Sequence, residues 1–342
     1  YQVKQILING EPLEFTPEED GTVILNKFTD MTEDKHVVVE FEKIPAKVIV
    51  HYYIEGTTDK VPLQDGGTAD DVTQTGVVGD IYATKPADNV NSMYELISTP
   101  TNASGTMTKD TIEVIYYYKL KATSVLVHHY KENTTEKLSN DVTINGKVGE
   151  SYTTQVATDI PQNYELVATP SNATGTMAED QIVVIYYYRL KTPSVTNNIT
   201  KTGTDRITVA NQEMSYTVTY TANVTDYIGN AEVTIVDTLP YEIDEAKSDL
   251  AGGTYDSASK TITWKENVSN IDSYNGNGTV NVTKTFKVVY VGLDMNQEKV
   301  VNNVKGNIKL LTPEKTSEEV TGSQESTIYK AIISSEKLVD KT

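Results

Sequence analysis

Three polar residues in the last third of the chain have the types and the spacing to react with one another. Asp237 alternates with apolar residues in AEVTIVDTLP, Asn302 does so in KVVNNVKGNIKL, and Lys201 follows Ile199 by two positions, so each falls on the apolar face of a predicted strand. Because a buried ion or amide without a partner is costly, we expect these three side chains to meet. A lysine, a carboxyl group and an asparagine that meet in an apolar core predict an intramolecular Lys–Asn isopeptide bond.

The predicted reaction joins Lys201 to Asn302, with Asp237 as an autocatalytic proton shuttle. Burial disfavours the charged forms of the amine and the carboxyl group, and a neutral amine is a nucleophile. Proximity makes the attack unimolecular. The alternative is an unreactive arrangement in which Lys201 reaches solvent, Asp237 caps a turn and Asn302 bonds to the backbone. Asn303 is a competing acceptor, although its alternation places it on the outer face.

The elements that must position this trio are short strands. After the linker KTPSVTNN, the segments MSYTVTYTA, EVTIVDTLP, KTITW, VTKTFKVVYV and KVVNNVKGNI alternate and are separated by turn residues. Such a pattern favours an antiparallel β-sandwich. No long amphipathic helix is predicted anywhere, so the fold class is mainly β.

An internal repeat precedes this region. VIVHYYIEGTTDKV at 48–61 matches VLVHHYKENTTEKL at 125–138, and YELISTPTNASGTMTKDTIEVIYYYKL at 94–120 matches YELVATPSNATGTMAEDQIVVIYYYRL at 164–190. The offsets are 128 − 51 = 77 for the early blocks and 164 − 94 = 70 for the late ones, so the first copy has seven extra residues, which we assign to the loop QDGGTADDVTQT. A repeat at this period predicts an array of similar small modules.

Composition narrows the classes of function. The chain has 342 residues, 29 Lys+Arg and 48 Asp+Glu, and a net charge of −19, which argues against binding to nucleic acid or to anionic membranes. It has no cysteine and four histidines, so it has no disulfide, no thiolate metal site and little material for an ordinary hydrolase. No apolar run is long enough to span a bilayer. We therefore expect a monomer with no cofactor, no metal and no enzymatic turnover.

Both ends of the sequence start or stop within a strand pattern, so we expect a segment of a longer protein. The predicted domains are the end of a preceding β module at 1–45, the first repeat at 46–120 and the second repeat at 121–192. The sandwich follows at 193–330, and the start of a following domain or linker at 331–342.

The repeats resemble the mucin-binding-protein (MucBP-like) repeats of Gram-positive surface proteins. The resemblance covers about residues 46–191 and rests on the opening V-x-V-H strand, the V-G-x-x-Y turn of Val148 to Tyr152, and the Y-E-L, G-T-M and V-x-Y-Y-Y blocks. It implies β-grasp-like modules, here in an elongated array, and adhesion to mucin or other host glycans or extracellular proteins.

The third domain resembles the isopeptide-forming, Ig-like (CnaA/pilin-type) domains of Gram-positive adhesins and pilins. The resemblance rests on Lys201 in the first strand, VDTLP with Asp237, ITW with Trp264, and VVNNV with Asn302. The spacings of 237 − 201 = 36 and 302 − 237 = 65 suit first, middle and last strands of one sandwich.

The tyrosine triplets of the repeats invite a glycan-stacking interpretation. Alternation predicts that their outer members Tyr116, Tyr118, Tyr186 and Tyr188 belong to the core, together with Ile112, Val114, Ile182 and Val184. Weaker candidates for ligand contacts are Tyr117, Tyr187, His51 and His128. The pair His128 and His129 is a poor metal site because adjacent strand residues point to opposite faces. The acidic loop Asp65–Asp71 lacks the spacing of a calcium loop, so a solvated loop is expected there.

These features predict a segment of an extracellular adhesin, anchored to the cell wall in the full-length protein. The repeats would bind mucin or another host ligand, and the cross-link would stabilise the sandwich. The alternative is a structural stalk that only projects a distal binding domain.

Overall fold

The computed structural model describes residues 1–25 and 32–330, so the predicted following segment at 331–342 lies outside the described residues. The chain divides into two compact units, and the division crosses the second repeat. One unit comprises residues 1–127, 141–155 and 171–184, and the other comprises residues 128–140, 156–170 and 185 onwards.

An antiparallel three-stranded sheet begins the chain. Its strands are β1 (Gln2–Ile8), β2 (Glu11–Leu13) and β3 (Val37–Glu42), in the order β2-β1-β3. Asn9 and Gly10 both adopt positive φ, at 49° and 89°, and join β1 to β2 in a hairpin. Asn-Gly is the favoured pair for a turn of this kind, since both residues tolerate the left-handed region.

The first repeat has one long sheet and one short ribbon. Its strands are β4 (Pro45–Ile54), β5 (Val72–Val77), β6 (Ile81–Ala83), β7 (Tyr94–Leu96), β8 (Ser104–Thr106) and β9 (Ile112–Leu120). The sheet order is β5-β4-β9-β7, and β6 pairs with β8. The first and last strands, β4 and β9, run parallel, from the pair Val48–Ile112 to the pair Ile54–Tyr118.

Alternation along these strands builds the core of the repeat. Val114, Tyr116 and Tyr118 are buried while Ile112 is half-buried, and Tyr117 faces outwards. The buried partners from the other strands are mainly Val48, Val50, Tyr52, Val61, Tyr82 and Met107. The predicted core face of β9 is confirmed.

The second repeat has the same strand order. Its strands are β10 (Ala122–Lys131), β11 (Val142–Lys147), β12 (Ser151–Thr153), β13 (Tyr164–Leu166), β14 (Thr174–Thr176) and β15 (Ile182–Leu190), with the sheet β11-β10-β15-β13 and the ribbon β12-β14. Here Val184, Tyr186 and Tyr188 are buried, and Ile182 is half-buried. The connection between β4 and β5 has 71 − 54 = 17 residues and that between β10 and β11 has 141 − 131 = 10, so the seven extra residues lie where expected.

Ten strands form the sandwich. They are β16 (Ser194–Gly203), β17 (Arg206–Ile207), β18 (Glu213–Thr225), β19 (Ile228–Thr238), β20 (Thr254–Asp256), β21 (Thr261–Asp272), β22 (Thr279–Val289), β23 (Lys299–Leu311), β24 (Glu314–Thr316) and β25 (Val320–Ile328). One sheet is β16-β18-β22, and the other is β17-β25-β23-β19-β21-β20 with β24 beside β23. All pairings are antiparallel as predicted, except the short parallel pairing of β17 with β25.

The fold class predicted from the sequence, mainly β with small modules ahead of a sandwich, is confirmed. In the described residues the helical content is a single 3-10 turn, Glu245–Lys247, and no helix there could span a membrane. The inner faces of both sandwich sheets share one core, which includes the chain's one tryptophan, Trp264.

Candidate functional site

Three strands of the sandwich position the predicted trio on inner faces. Lys201 lies on β16, Asp237 on β19 and Asn302 on β23, and all three are buried. The period-2 alternation explains this placement, since their neighbours two residues away in the strand are mostly buried apolar residues. Asn303, the competing acceptor, is exposed on the outer face of β23.

Lys201 and Asp237 form a fully buried pair. Both side chains have no exposed surface, and the Lys201 Nζ donates a hydrogen bond to the Asp237 Oδ2. The other carboxyl oxygen, Oδ1, has no hydrogen-bond partner among the described residues. Lys201 therefore does not reach solvent and Asp237 does not cap a turn, which removes two parts of the unreactive alternative.

Asn302 lies between the strands that carry this pair. On one side of β23, Asp237 pairs with Val304, two residues from Asn302, and on the other side Asn302 pairs with Gln324 of β25. Strand β25 adjoins β16, because the Ser326 hydroxyl donates to the Thr204 carbonyl at 2.6 Å. The register thus holds Asn302 beside the strand of Asp237, and its side chain is close enough to Asp237 to act on the pKa of that carboxyl group.

The Asn302 carboxamide is buried without a well-formed hydrogen bond. Neither its Oδ1 nor its Nδ2 has a partner of good hydrogen-bond geometry among the described residues, although its side chain is close enough to Asp237 and Tyr216 to act on the pKa of both. An unmade hydrogen bond on a buried amide costs about 1–3 kcal/mol, so the third part of the unreactive alternative, a carboxamide bonded to the backbone, does not hold either.

Burial moves both titratable groups towards their neutral forms. It lowers the pKa of Lys201 to about 8, although the nearby Asp237 carboxylate acts in the opposite direction. It also raises the pKa of Asp237, against the effects of Lys201 and the neighbouring Asn302 side chain. The pair can therefore reach the state with a neutral amine and a protonated carboxyl group more easily than the same groups in water.

Aromatic side chains enclose the amine, and the sequence reasoning missed them. The Lys201 Nζ lies 4.8 Å from the ring centre of Tyr216 and 5.5 Å from that of Phe286. Trp264 packs on Phe286 at 5.2 Å, and the Tyr216 and Tyr290 hydroxyls hydrogen-bond at 2.9 Å. The signal that could have found them is the inward alternation of β18 and β22, in which Tyr216 pairs with Phe286.

The weaker candidates of the repeats lie on the sheet face opposite the core. Tyr117 and Tyr187 are 39% and 38% exposed. The His51 Nδ1 lies 3.1 Å from the Tyr53 hydroxyl and 3.2 Å from the Asp71 carboxylate. His128 stacks on Tyr130 with ring centres 4.9 Å apart.

The described residues include no group of three or more potential metal ligands. His129 is buried, stacks on Tyr186 at 5.3 Å and shares a hydrogen bond with the Tyr188 hydroxyl at 3.1 Å, so it belongs to the core rather than to a site with His128. In the acidic loop, Asp71 also lies 3.4 Å from the Lys60 ammonium, and Asp65 accepts from the Gly67 amide at 3.0 Å. Both carboxylates have partners within their own repeat.

The two repeats match a known protein family. Residues 47–119 and 124–189 match the family model of the MucBP domain. The chain as a whole is similar to Internalin J of Listeria monocytogenes serovar 1/2a, with 28% identity over 259 residues that cover 74% of this chain and 27% of the relative. Internalin J of serotype 4b is 27% identical over 338 residues, which cover 83% of this chain and 34% of the relative. Both findings support the expected similarity of this chain to surface proteins of Gram-positive bacteria.

The chain spans about a third or less of the length of these relatives. Among solved structures, the chain matches the major pilin subunit BcpA of Bacillus cereus with 12% identity, a TM-score of 0.23, and coverage of 59% of this chain and 69% of the pilin. A superposition this loose transfers no residue role.

Proposed function

We propose that this chain is part of a cell-surface adhesin whose sandwich domain cross-links itself through a Lys201–Asn302 isopeptide bond. The repeats contact mucin or another host glycan or protein, and the full-length protein is anchored in the cell wall. The chain is not an enzyme, since the cross-linking reaction occurs once per molecule. No nucleic acid, membrane or cofactor takes part.

The proposed reaction needs only the three side chains. The neutral Lys201 Nζ attacks the Asn302 Cγ while the protonated Asp237 donates a hydrogen bond to the carboxamide oxygen. Asp237 then delivers its proton to the Asn302 Nδ2, which leaves as ammonia, and the resulting carboxylate takes a proton from the attacking nitrogen. A new Nζ–Cγ amide replaces the broken Cγ–Nδ2 bond, and Asp237 is regenerated. Proximity supplies much of the rate, because the nucleophile and the acceptor belong to one folded domain.

Asn302 gives the strongest support for this reaction. A buried carboxamide without a well-formed hydrogen bond, beside a buried Lys–Asp pair, is a costly arrangement for a purely structural core. The same arrangement is productive if the carboxamide is the acceptor and its nitrogen leaves.

Intact mass spectrometry of the whole chain tests the cross-link. The wild-type protein should be lighter than its sequence by one ammonia, whereas Asp237→Ala and Asn302→Ala should each show the full mass of their sequences. The matched control Asn303→Ala, next in sequence but on the outer face, should still lose ammonia. A wild-type protein at full sequence mass would contradict the reaction, and the trio would be only a buried polar cluster.

Adhesion is supported by the MucBP match and is tested by binding of the whole chain to immobilised mucin. Saturable binding that persists in Asp237→Ala would show that mucin binding does not depend on the cross-link. Absence of binding to mucin and to host extracellular proteins would favour the alternative, a stalk that projects a distal binding domain.

A further inference from the structure

The four-stranded sheet of each repeat has one face packed on the core and one face turned to solvent. In the first repeat this outer sheet face carries His51 and Tyr53 on β4 opposite Ile115 and Tyr117 on β9, by the register of the parallel pair. The segment after β7 adjoins it, since the Ile97 amide donates to the Tyr117 carbonyl at 3.0 Å. Aliphatic and aromatic side chains thus lie side by side on the face of the sheet that is turned away from the core.

A cleft of about 370 Å³ opens on this face beside Tyr117. It is lined by Tyr117, Ile97, Ile115 and Pro100, together with Glu55 and Gly56. Gly56 adopts a φ of 73°, and no atom lies within 4 Å of where its Cβ would be, so the turn after β4 leaves this side open. The volume is at the small end of the range for small-molecule sites, and apolar walls with a few polar groups are typical of them.

The second repeat presents the same groups. At the offsets of 77 and 70, the counterparts of the lining residues are Glu132, Val167, Pro170, Ile185 and Tyr187. The Val167 amide donates to the Tyr187 carbonyl at 2.9 Å, as in the first repeat, and Asn133 with a φ of 59° takes the place of Gly56. Both repeats therefore have an exposed tyrosine together with a proline and two aliphatic residues. Polar residues at these exposed positions would be equally compatible with the fold.

The charges around each tyrosine indicate what can bind there. In the first repeat Glu55, Glu95 and Glu113 accompany Lys119, whose Nζ lies 3.5 Å from Glu95, while the nearby Lys60 is paired with Asp71 at 3.4 Å. In the second, Glu132 and Glu165 accompany Arg189, which bonds to Glu165 at 2.8 Å. Carboxylates exceed cations at both places, and the whole chain has a net charge of −19, so an anionic ligand would be repelled.

We propose that the cleft beside Tyr117 and its counterpart beside Tyr187 each bind an uncharged saccharide. The tyrosine ring packs against the C–H face of a pyranose, because an aromatic side chain combines a flat apolar body with a polar tip. The Glu55 or Glu132 carboxylate accepts hydrogen bonds from the sugar hydroxyls, which is the stronger, charge-assisted kind. Sialylated and sulfated saccharides are excluded by like charge. This site rests on the proposed adhesive function and gives that function a location and a ligand class.

Two sites in one chain predict avidity on a multivalent surface. Loss of one tyrosine should weaken binding, because the second contact is made at high effective concentration, and loss of both should weaken it further.

The test uses the whole chain on an array of uncharged saccharides and their sialylated or sulfated forms. We expect the wild-type protein to bind uncharged saccharides and to bind their anionic forms less well. Tyr117→Ala/Tyr187→Ala should lose at least about tenfold in apparent affinity, as expected when central aromatic contacts are removed. Tyr117→Phe/Tyr187→Phe should retain most of the binding, since the ring face is kept. Tyr329→Ala, which removes an exposed tyrosine outside the repeats, is the matched control and should bind like the wild type.

Three results would overturn the site: preference for anionic saccharides, absence of binding to any uncharged saccharide, or equal binding by the double alanine variant. Far-UV circular dichroism of each variant shows whether the repeats are still folded. If the wild type binds mucin and the double variant binds mucin equally well, adhesion stands and this site fails. If the wild type binds neither mucin nor a saccharide, both fail.

Discussion

At the scale of single residues, the trio of the sandwich shows how burial changes chemistry. Lys201 has lost its water, and its one hydrogen-bonding partner is a carboxyl group that is itself buried. The cost of holding two charges there makes the neutral pair easier to reach than in water, and a neutral amine is what the proposed attack requires. Asp237 and Asn302 follow strict alternation, which is a local property of the chain, so the sequence was sufficient to place them.

A variant that cannot cross-link should show the shifted pKa of Lys201 as a dependence of stability on pH. In Asn302→Ala, below about pH 8 the lysine is protonated in both states, and the full cost of burying its charge is present. Between about 8 and 10.5 the folded state loses the proton while the unfolded state keeps it, so the free energy of unfolding should rise with pH, by up to about 3 kcal/mol. Urea unfolding followed by Trp264 fluorescence measures this.

The raised pKa of Asp237 has the opposite sign at acid pH. The folded carboxyl group keeps its proton to a higher pH than the unfolded value of 3.8, so the free energy of unfolding should fall as pH rises above 3.8.

Lys201→Met in the Asn302→Ala background is the control for the rise in stability that is expected between about pH 8 and 10.5. A rise above pH 8 that persists in this double variant would show that Lys201 is not its source.

At the scale of elements, the alternation of residues predicted which face of a strand is buried, but it did not predict which side chains of other strands that face contacts. The inner and outer faces of β9, β19 and β23 follow from alternation, whereas the contact of Tyr216 and Phe286 with Lys201 depends on the pairing of β18 with β22 and on sheet packing. Long-range pairing is set by the whole fold rather than by neighbours in sequence.

Close packing of β16 against β18 makes Gly203 sensitive to substitution. A Cβ at this position would lie 2.5 Å from the Ser215 carbonyl oxygen and 2.5 Å from Cδ1 of Tyr216. Because backbone atoms cannot move aside cheaply, Gly203→Ala should destabilise the sandwich by about 1–3 kcal/mol. Urea unfolding in the Asn302→Ala background, where no cross-link can mask the effect, measures it. Gly322→Ala, whose Cβ would approach no atom closer than 3.2 Å, should cost less, and equal losses would contradict this account.

At the scale of the whole molecule, the first repeat and the sandwich each have a core of their own. One core contains only residues between Ala46 and Tyr118, and the other only residues between Val195 and Ile328. Changes within the sandwich should therefore leave the first repeat unaffected.

Heating should show this independence. The proposed bond closes a loop of 302 − 201 = 101 residues, which by analogy with a disulfide of that span adds roughly 4–5 kcal/mol. The transition reported by Trp264, which lies in the sandwich, should move to lower temperature in Asn302→Ala, while the part of the circular-dichroism signal that reports the first repeat should show an unchanged transition. A Trp264 transition that does not move, or a shift of both transitions together, would contradict the expectation.

The parallel pairing of β4 with β9 determines how a repeat responds to tension. Adjacent parallel strands place the start of β4 and the end of β9 at opposite ends of the sheet, so a pull on the two chain ends acts along the strands. The seven residue pairs from Val48–Ile112 to Ile54–Tyr118 are then loaded in shear and must yield together, rather than one after another as in an unzipping hairpin. The first repeat thus has its greatest mechanical strength along the line that joins its two chain ends.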